Sequence, residues 1–358
     1  MPSLKEIKGR INSISSTLAI TSAMKMVASA KLQKAQMAIQ NMLPYERRLY
    51  SMLLDLMGAM NISAAASEDG SVRGSGSAER GFDQSGDRLS LSNRHDLAGM
   101  DGAYSLMAQR EVRKVAIVAF ASNSSLCGAF NSNAIREATA VINEYRASGL
   151  RDSDIVVYSV GRKMAEAMRK LGFPSPADFT KMSDSPSYEA ASALAQELLD
   201  GFVSGRFDKV ELVYNHYKST SSQPTTRQTY LPLSLADATA DIQVGKITDS
   251  ASESDTNRGA EPVGAPVVRQ GSPTTEDLIV EPSKEELIAT LLPKVVRLRV
   301  FTTLLDSTAA EHAARTVAMQ LATDNGNDLL QELTLEYNKG RQQKITSEIL
   351  DLVGGSMQ

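Results

Sequence analysis

Apolar residues near the start of the chain fall at Leu4, Ile7, Ile11, Ile14 and Leu18, in alternating steps of three and four. That spacing puts one apolar stripe on one side of an α-helix, the seam of a coiled coil. Extended in register, the stripe passes through Thr21, Lys25, Ala28, Leu32, Ala35, Ile39 and Met42, so a hydroxyl and a charge break it. Ser3-Leu4-Lys5-Glu6 is a Ser-x-x-Glu capping box, which starts the helix. Pro44 is expected to kink or interrupt it, with apolar residues resuming to about Met60. A second Gly-poor, apolar stretch occupies residues 283–353. It opens on another capping box, Ser283-Lys284-Glu285-Glu286, and Pro293 is expected to bend it. As helices, residues 3–60 and 283–353 span roughly 85 and 105 Å. Neither stripe can be buried alone, so the pattern predicts a long antiparallel coiled coil of the N- and C-terminal helices. Ala309, Ala310, Ala313 and Ala314 form a small-residue patch that lets two helices approach closely.

Between these ends the pattern changes. Val112–Ala121, Asp154–Val160 and Lys209–Tyr217 read as buried strands, with a further strand at Arg227–Leu233. Phe130–Ser148, Arg162–Leu171 and Tyr188–Phe202 read as helices. Alternating strands and helices predict a Rossmann-like α/β domain with a parallel sheet. Residues 63–103 and 245–276 are rich in small and polar residues, and are expected to be flexible insertions. The expected divisions are a helix over 1–61, an insertion over 62–110, the α/β domain over 111–244, a loop over 245–282 and a helix over 283–358.

Composition narrows the chemistry. Net charge is −4, which gives no general argument for nucleic acid. Residues 1–50 nevertheless carry eight basic side chains against Glu6 and Glu46, a net of +6. Such a face suits an acidic protein surface, an anionic lipid, a nucleic acid or simply solvent. Cys127 is the only cysteine, so an intrachain disulfide and a Cys-based zinc site are excluded. The longest uncharged apolar run, Val115–Ala121, is far short of the roughly 20 residues a membrane helix needs. No phosphate loop of the Gly-x-x-x-x-Gly-Lys-Ser/Thr type occurs. The turn Ser122–Phe130 lacks the spaced glycines of a dinucleotide site. Cys127 could serve as an activated thiolate, with His216 the only histidine in the same domain. A small buried residue at a tight turn is the plainer reading.

Four ordered motifs resemble the gamma subunit of F-type ATP synthase. They are Ile20–Ala28 with Ala30-Lys31-Leu32; Leu126-Cys127-Gly128-Ala129-Phe130-Asn131; Glu311–Arg315 with Met319 and Ala322–Asn325; and Leu335–Gln342 with Ile345–Glu348 and Asp351. The resemblance spans both termini and the α/β domain and omits the two insertions. Gly340 stands where the family often has Ala, at a helix cost of about 1 kcal/mol. The chain also lacks the Arg-Gly often found before Cys127.

The resemblance implies a central rotary stalk. It would couple proton-driven rotation of a membrane c-ring to conformational cycling of β catalytic sites, with no nucleotide, cofactor or metal site of its own. Partners would be the α, β, delta and epsilon subunits and the c-ring. Contacts with the α/β ring would come from Lys8, Met24, Lys25, Lys31, Arg341, Gln342, Thr346, Glu348, Ile349 and Leu352. Glu281 would face the c-ring and epsilon. The first helix begins almost at once, so the expected place is the cytoplasmic face of a bacterial inner membrane, peripheral to it. On the residues alone two other readings stay open, an α/β enzyme acting near Cys127 and a basic coiled-coil scaffold for nucleic acid.

Overall fold

A computed structural model describes residues 3–59, 106–233 and 284–355. The insertions at 63–103 and 245–276, Ser283 of the second capping box, and Glu281 lie outside the described residues. The elements are α1 (Leu4–Ala59), β1 (Val115–Phe120), α2 (Phe130–Ala147), β2 (Ile155–Val160), α3 (Arg162–Lys170), the short α4 (Thr180–Asp184), α5 (Tyr188–Val203), β3 (Lys209–Asn215), β4 (Thr225–Leu231) and α6 (Lys284–Gly355).

At 56 and 72 residues, α1 and α6 are about 84 and 108 Å long. Ser3 Oγ accepts the Glu6 backbone N–H at 3.2 Å, satisfying one of the donors a helix start leaves unpaired. The two helices pair antiparallel. Leu4 packs beside Gly340, Leu18 packs beside Gly326, and the Thr21 and Thr323 hydroxyls hydrogen-bond at 3.0 Å. Every position of the expected α1 stripe is at least partly shielded, Thr21 and Lys25 included, and the register continues through buried Glu46, Leu49, Leu53 and Leu56. The answering stripe on α6 is Thr323, Gly326, Leu330, Leu333, Tyr337 and Gly340. A Cβ at Gly326 would meet Leu18 Cδ2 at 2.7 Å, and one at Gly340 would meet Leu4 Cδ2 at 3.1 Å. Glycine therefore gives up helix propensity at these two positions and gains close approach of a leucine.

Pro44 does not interrupt α1. Its ring deprives the Gln40 carbonyl of a donor, but both residues are exposed, so water can take that carbonyl. α6 likewise runs through Pro293.

The sheet has the order β2-β1-β3-β4. β1 pairs parallel with β2 and β3, while β4 pairs antiparallel with β3. The parallel sheet expected from the sequence is present in β2, β1 and β3, and the antiparallel β4 makes the whole sheet mixed. Only residues 216–224 join β3 to β4, and a parallel return needs a crossover of a dozen residues or more. Alternate β1 side chains enter different cores. Ala116, Val118 and Phe120 pack with α5, the second half of α1 and the first part of α6. Val115, Ile117 and Ala119 pack with α2 and α3. The α/β body is therefore built directly onto one half of the helix pair.

Candidate partner-binding surface

The helix pair leaves two kinds of surface uncovered. The first is the end of α6. α1 begins opposite Gly340, so among the described residues α6 continues about another 20 Å past the start of α1. Residues 341–350 are all exposed. Ile345, Ile349, Leu350, Leu352 and Val353 are exposed apolar side chains, Leu352 at 74 %. An apolar cluster left open on a helix end is a candidate interaction surface. Arg341, Gln342, Thr346 and Glu348 lie among them, all exposed. Thr346 Oγ1 donates to the Gln342 carbonyl at 2.9 Å. Glu348 faces Lys344 at 3.8 Å, an open pair that contributes little.

The second surface lies along α1 beside the buried seam. Ile20 and Val27 are 60 % and 57 % exposed, Met24 stands between them, and Met26 is open as well. Lys8 and Lys31 are exposed and Lys25 is half-buried at the seam. Sequence reasoning named Met24 and the lysines as contacts, read Met24, Met26 and Val27 as coiled-coil core in preference to a greasy groove, and gave Ile20 and Val27 no contact role. Their signal was present, as apolar residues three and four apart on a face the seam does not use.

Lys31 also faces its own chain. Burial pushes the Glu311 carboxyl up, and Arg315 and Lys31 hold it back. Burial, then Arg315, then Lys31 lower His312 to about 4. Arg315 donates to Glu311 at 2.7 Å and to Ser124 Oγ at 2.6 Å. The conspicuous Glu-His-Ala-Ala-Arg segment thus ties α6 to the turn after β1.

That turn is filled from within. Leu126 and Gly128 take positive φ values of 68° and 59°. Cys127 is buried against Phe130 and Ala310. Its Sγ accepts the Asn131 side-chain N–H at 3.2 Å, and His216 Nδ1 lies 2.6 Å from Asp306. A thiol packed in a tight turn gives no support to the nucleophile reading. Among the described residues, no cluster of three His, Cys, Asp or Glu side chains could hold a metal. No described helix is long and apolar enough to cross a membrane.

Comparison with known proteins gives one answer. A family model described as ATP synthase matches residues 3–357. The ATP synthase gamma chain of Phocaeicola vulgatus is 47 % identical over 357 residues, covering 100 % of both chains. That of Bacteroides thetaiotaomicron is 45 % identical over 358 residues, again covering 100 % of both. In fold, the chain is similar to one from the Euglena gracilis mitochondrial ATP synthase (OSCP/F1/c-ring), with TM-score 0.52 at 19 % identity, covering 99 % of this chain and 93 % of that one. End-to-end matches at nearly half identity include both terminal helices and the turn after β1, and this chain belongs to the ATP synthase gamma chain family.

Proposed function

We propose that this chain is the central rotary stalk of a proton-driven ATP synthase. It carries c-ring rotation to the β catalytic sites and is not itself catalytic. The observation that carries the reading is the bare end of α6, a single exposed helix with an apolar tip projecting beyond a paired shaft. A globular domain has no use for such a tip, whereas a shaft seated in a collar of other subunits needs it.

In this reading Arg341, Gln342, Thr346, Glu348, Ile349 and Leu352 contact the ring of α and β subunits at the tip, with Lys8, Met24, Lys25 and Lys31 along α1. Long-range attraction between the basic α1 face and acidic partner surfaces holds the shaft without fixed contacts, which suits rotation. Glu281 faces the c-ring and epsilon, and delta completes the soluble partners. The complex places the chain at the cytoplasmic face of a bacterial inner membrane. An absent nucleotide site is supported by the turn after β1. In open α/β sheets ligands bind beyond the carboxyl ends of the strands, and here Arg315, Cys127 and Ala310 occupy that place.

The test is co-purification followed by truncation. The intact chain is expected to bring α, β and epsilon with it. A chain ending at Gly340 is expected to assemble but to support much less proton-driven ATP synthesis in vesicles. Full synthesis by the truncated complex would remove the tip from the mechanism.

A further inference from the structure

The α/β body meets the helix pair through a large apolar core, yet apolar contact is non-directional and resists twisting weakly. Directional bonds add to it: beside that core the Tyr230 hydroxyl donates to the Val296 carbonyl at 3.0 Å and Arg297 donates to Gln196 Oε1 at 2.6 Å, and above it such bonds occur at two further levels. At the lower level, the connection from β3 to β4 reaches both helices. Tyr217 N–H donates to Asp306 Oδ1 at 2.9 Å, and His216 Nδ1 lies 2.6 Å from Asp306 Oδ2. From the other helix, Gln36 Nε2 donates to the Tyr217 hydroxyl at 2.6 Å. Tyr217 packs against two apolar clusters, one of Leu32, Ala35, Ala309 and Ala313 and one of Cys127, Phe130 and Ala310. At the upper level, Arg315 of α6 donates to Ser124 in the turn after β1 at 2.6 Å.

Asp306 and Arg315 are about two and a half helical turns apart, so they leave α6 on opposite sides. Attachments on opposite sides and at different heights oppose both sliding and rotation of the body about the helix. Asp306 is mostly shielded, its carboxylate accepting from a backbone N–H and facing an imidazole. Hydrogen bonds to a charged group are the stronger kind.

We propose that Tyr217 and Asp306, together with Ser124 and Arg315, form a torsional fixture that sets the angle of the α/β body on the shaft and carries torque between them. The proposal rests on the rotor reading above. These residues act by position and need not touch another subunit.

The experiment uses the complete complex with its c-ring. The catalytic ring is fixed to a surface and the angular fluctuation of a probe on the c-ring is recorded. With Asp306→Ala and Ser124→Ala together, the variance of that angle is expected to rise roughly twofold as the directional bonds are lost, while ATP hydrolysis by the catalytic ring is retained. If the double variant fails to assemble, the milder pair Tyr217→Phe and Ser124→Ala, which removes only two hydroxyls, is measured in the same way with the same expected direction. Unchanged variance in either assembled variant overturns the fixture, even if melting of the isolated chain falls, because lost stability without lost stiffness marks a structural role only. A wild-type chain that does not assemble with α, β and the c-ring overturns the rotor reading instead, and the two failures are distinguishable.

Discussion

The two halves of the helix pair carry the same heptad pattern and live in different surroundings. Near the α/β body, Leu49, Leu53 and Leu56 of α1 join Leu292, Val296 and Leu304 of α6 in one core with a face of the sheet. Toward the tip, Leu4, Ile11, Ile14 and Leu18 are only half-buried, though Ile7 is buried, and among the described residues α6 is the helix that shields them. The difference teaches that a coiled-coil pattern specifies pairing, whereas depth of burial comes from what else packs there. The half inside the body serves as the anchor. The free half keeps its outer faces open and holds its register by fitting Leu18 and Leu4 against Gly326 and Gly340.

The sharpest test of that contrast is a pair of truncations. Leu304→Ala, at a site 1 % exposed, is expected to cost about 3 to 4 kcal/mol, while Ile14→Ala on the free half costs about 1 kcal/mol. Chemical denaturation of the isolated chain reads both, and equal losses would break the comparison.

Within the body, Glu211 is expected to be nearly as sensitive. Its carboxylate is buried and accepts from the Tyr145 hydroxyl at 2.6 Å, with Arg227 at 2.7 Å and Lys209 at 2.7 Å. Burial alone would raise its pKa, but hydrogen bonds from Arg227, Lys209 and Tyr145 outweigh burial and lower it. Arg227 also pairs with Glu144 on α2, so β3, β4 and α2 are joined through one acid. Glu211→Gln takes the counter-charge from Lys209 and leaves Arg227 only Glu144, and is expected to cost about 3 kcal/mol in unfolding free energy.

The pH dependence separates the junction from the free half further. His312 titrates near 4 when folded and 6.5 unfolded, so the unfolded chain binds more protons in between. Stability is therefore whole above 6.5 and is lost as pH falls toward 4. Glu211 adds a further loss below 4.5, as pH falls through its lowered folded value. Glu311 works in the opposite sense, since its raised pKa takes stability away as pH rises past 4.5. His312→Gln is expected to lose less stability than the native chain between pH 7 and 5, measured by melting. An identical pH profile for the variant would show that His312 is not the group responsible.

The smallest effects lie at the glycines. Ala gains about 1 kcal/mol of helix propensity over Gly. At Gly326 a 2.7 Å approach to Leu18 forces a side-chain shift, so Gly326→Ala is expected to be near neutral or destabilising. At Gly340 the closest atom is at 3.1 Å, on Leu4 at the helix start, where little movement is needed. Gly340→Ala is expected to stabilise by about 0.5 kcal/mol. If both variants stabilise equally, the Leu18 fit is slack.

Much of this architecture follows from periodicity. Steps of three and four marked the seam through residues as unpromising as Thr21 and Lys25, because a heptad position is shielded whatever occupies it. Short β-rich runs between helical patterns located β1, β2 and β3 to within a few residues, since each is largely buried; β1 is continuously apolar, whereas β3 also carries Lys209 and the buried Glu211. The antiparallel direction of β4 was missed although the short link before it was visible. Pro44 does not interrupt α1, because the exposed Gln40 carbonyl can accept from water in place of the missing N–H.

For the proposed partner surface, the sequence by itself located the helix pair, the basic α1 face and the polar and apolar residues of the α6 end, because these depend on spacing along single helices. Only the tertiary structure decided that α1 stops opposite Gly340 and leaves the tip bare, that Gly326 and Gly340 receive leucines, and that Tyr217 bridges Gln36 and Asp306. Those contacts join residues about 90 to 340 positions apart in the chain, and local pattern carries no information about which distant side chains will meet once an apolar core has set the elements side by side.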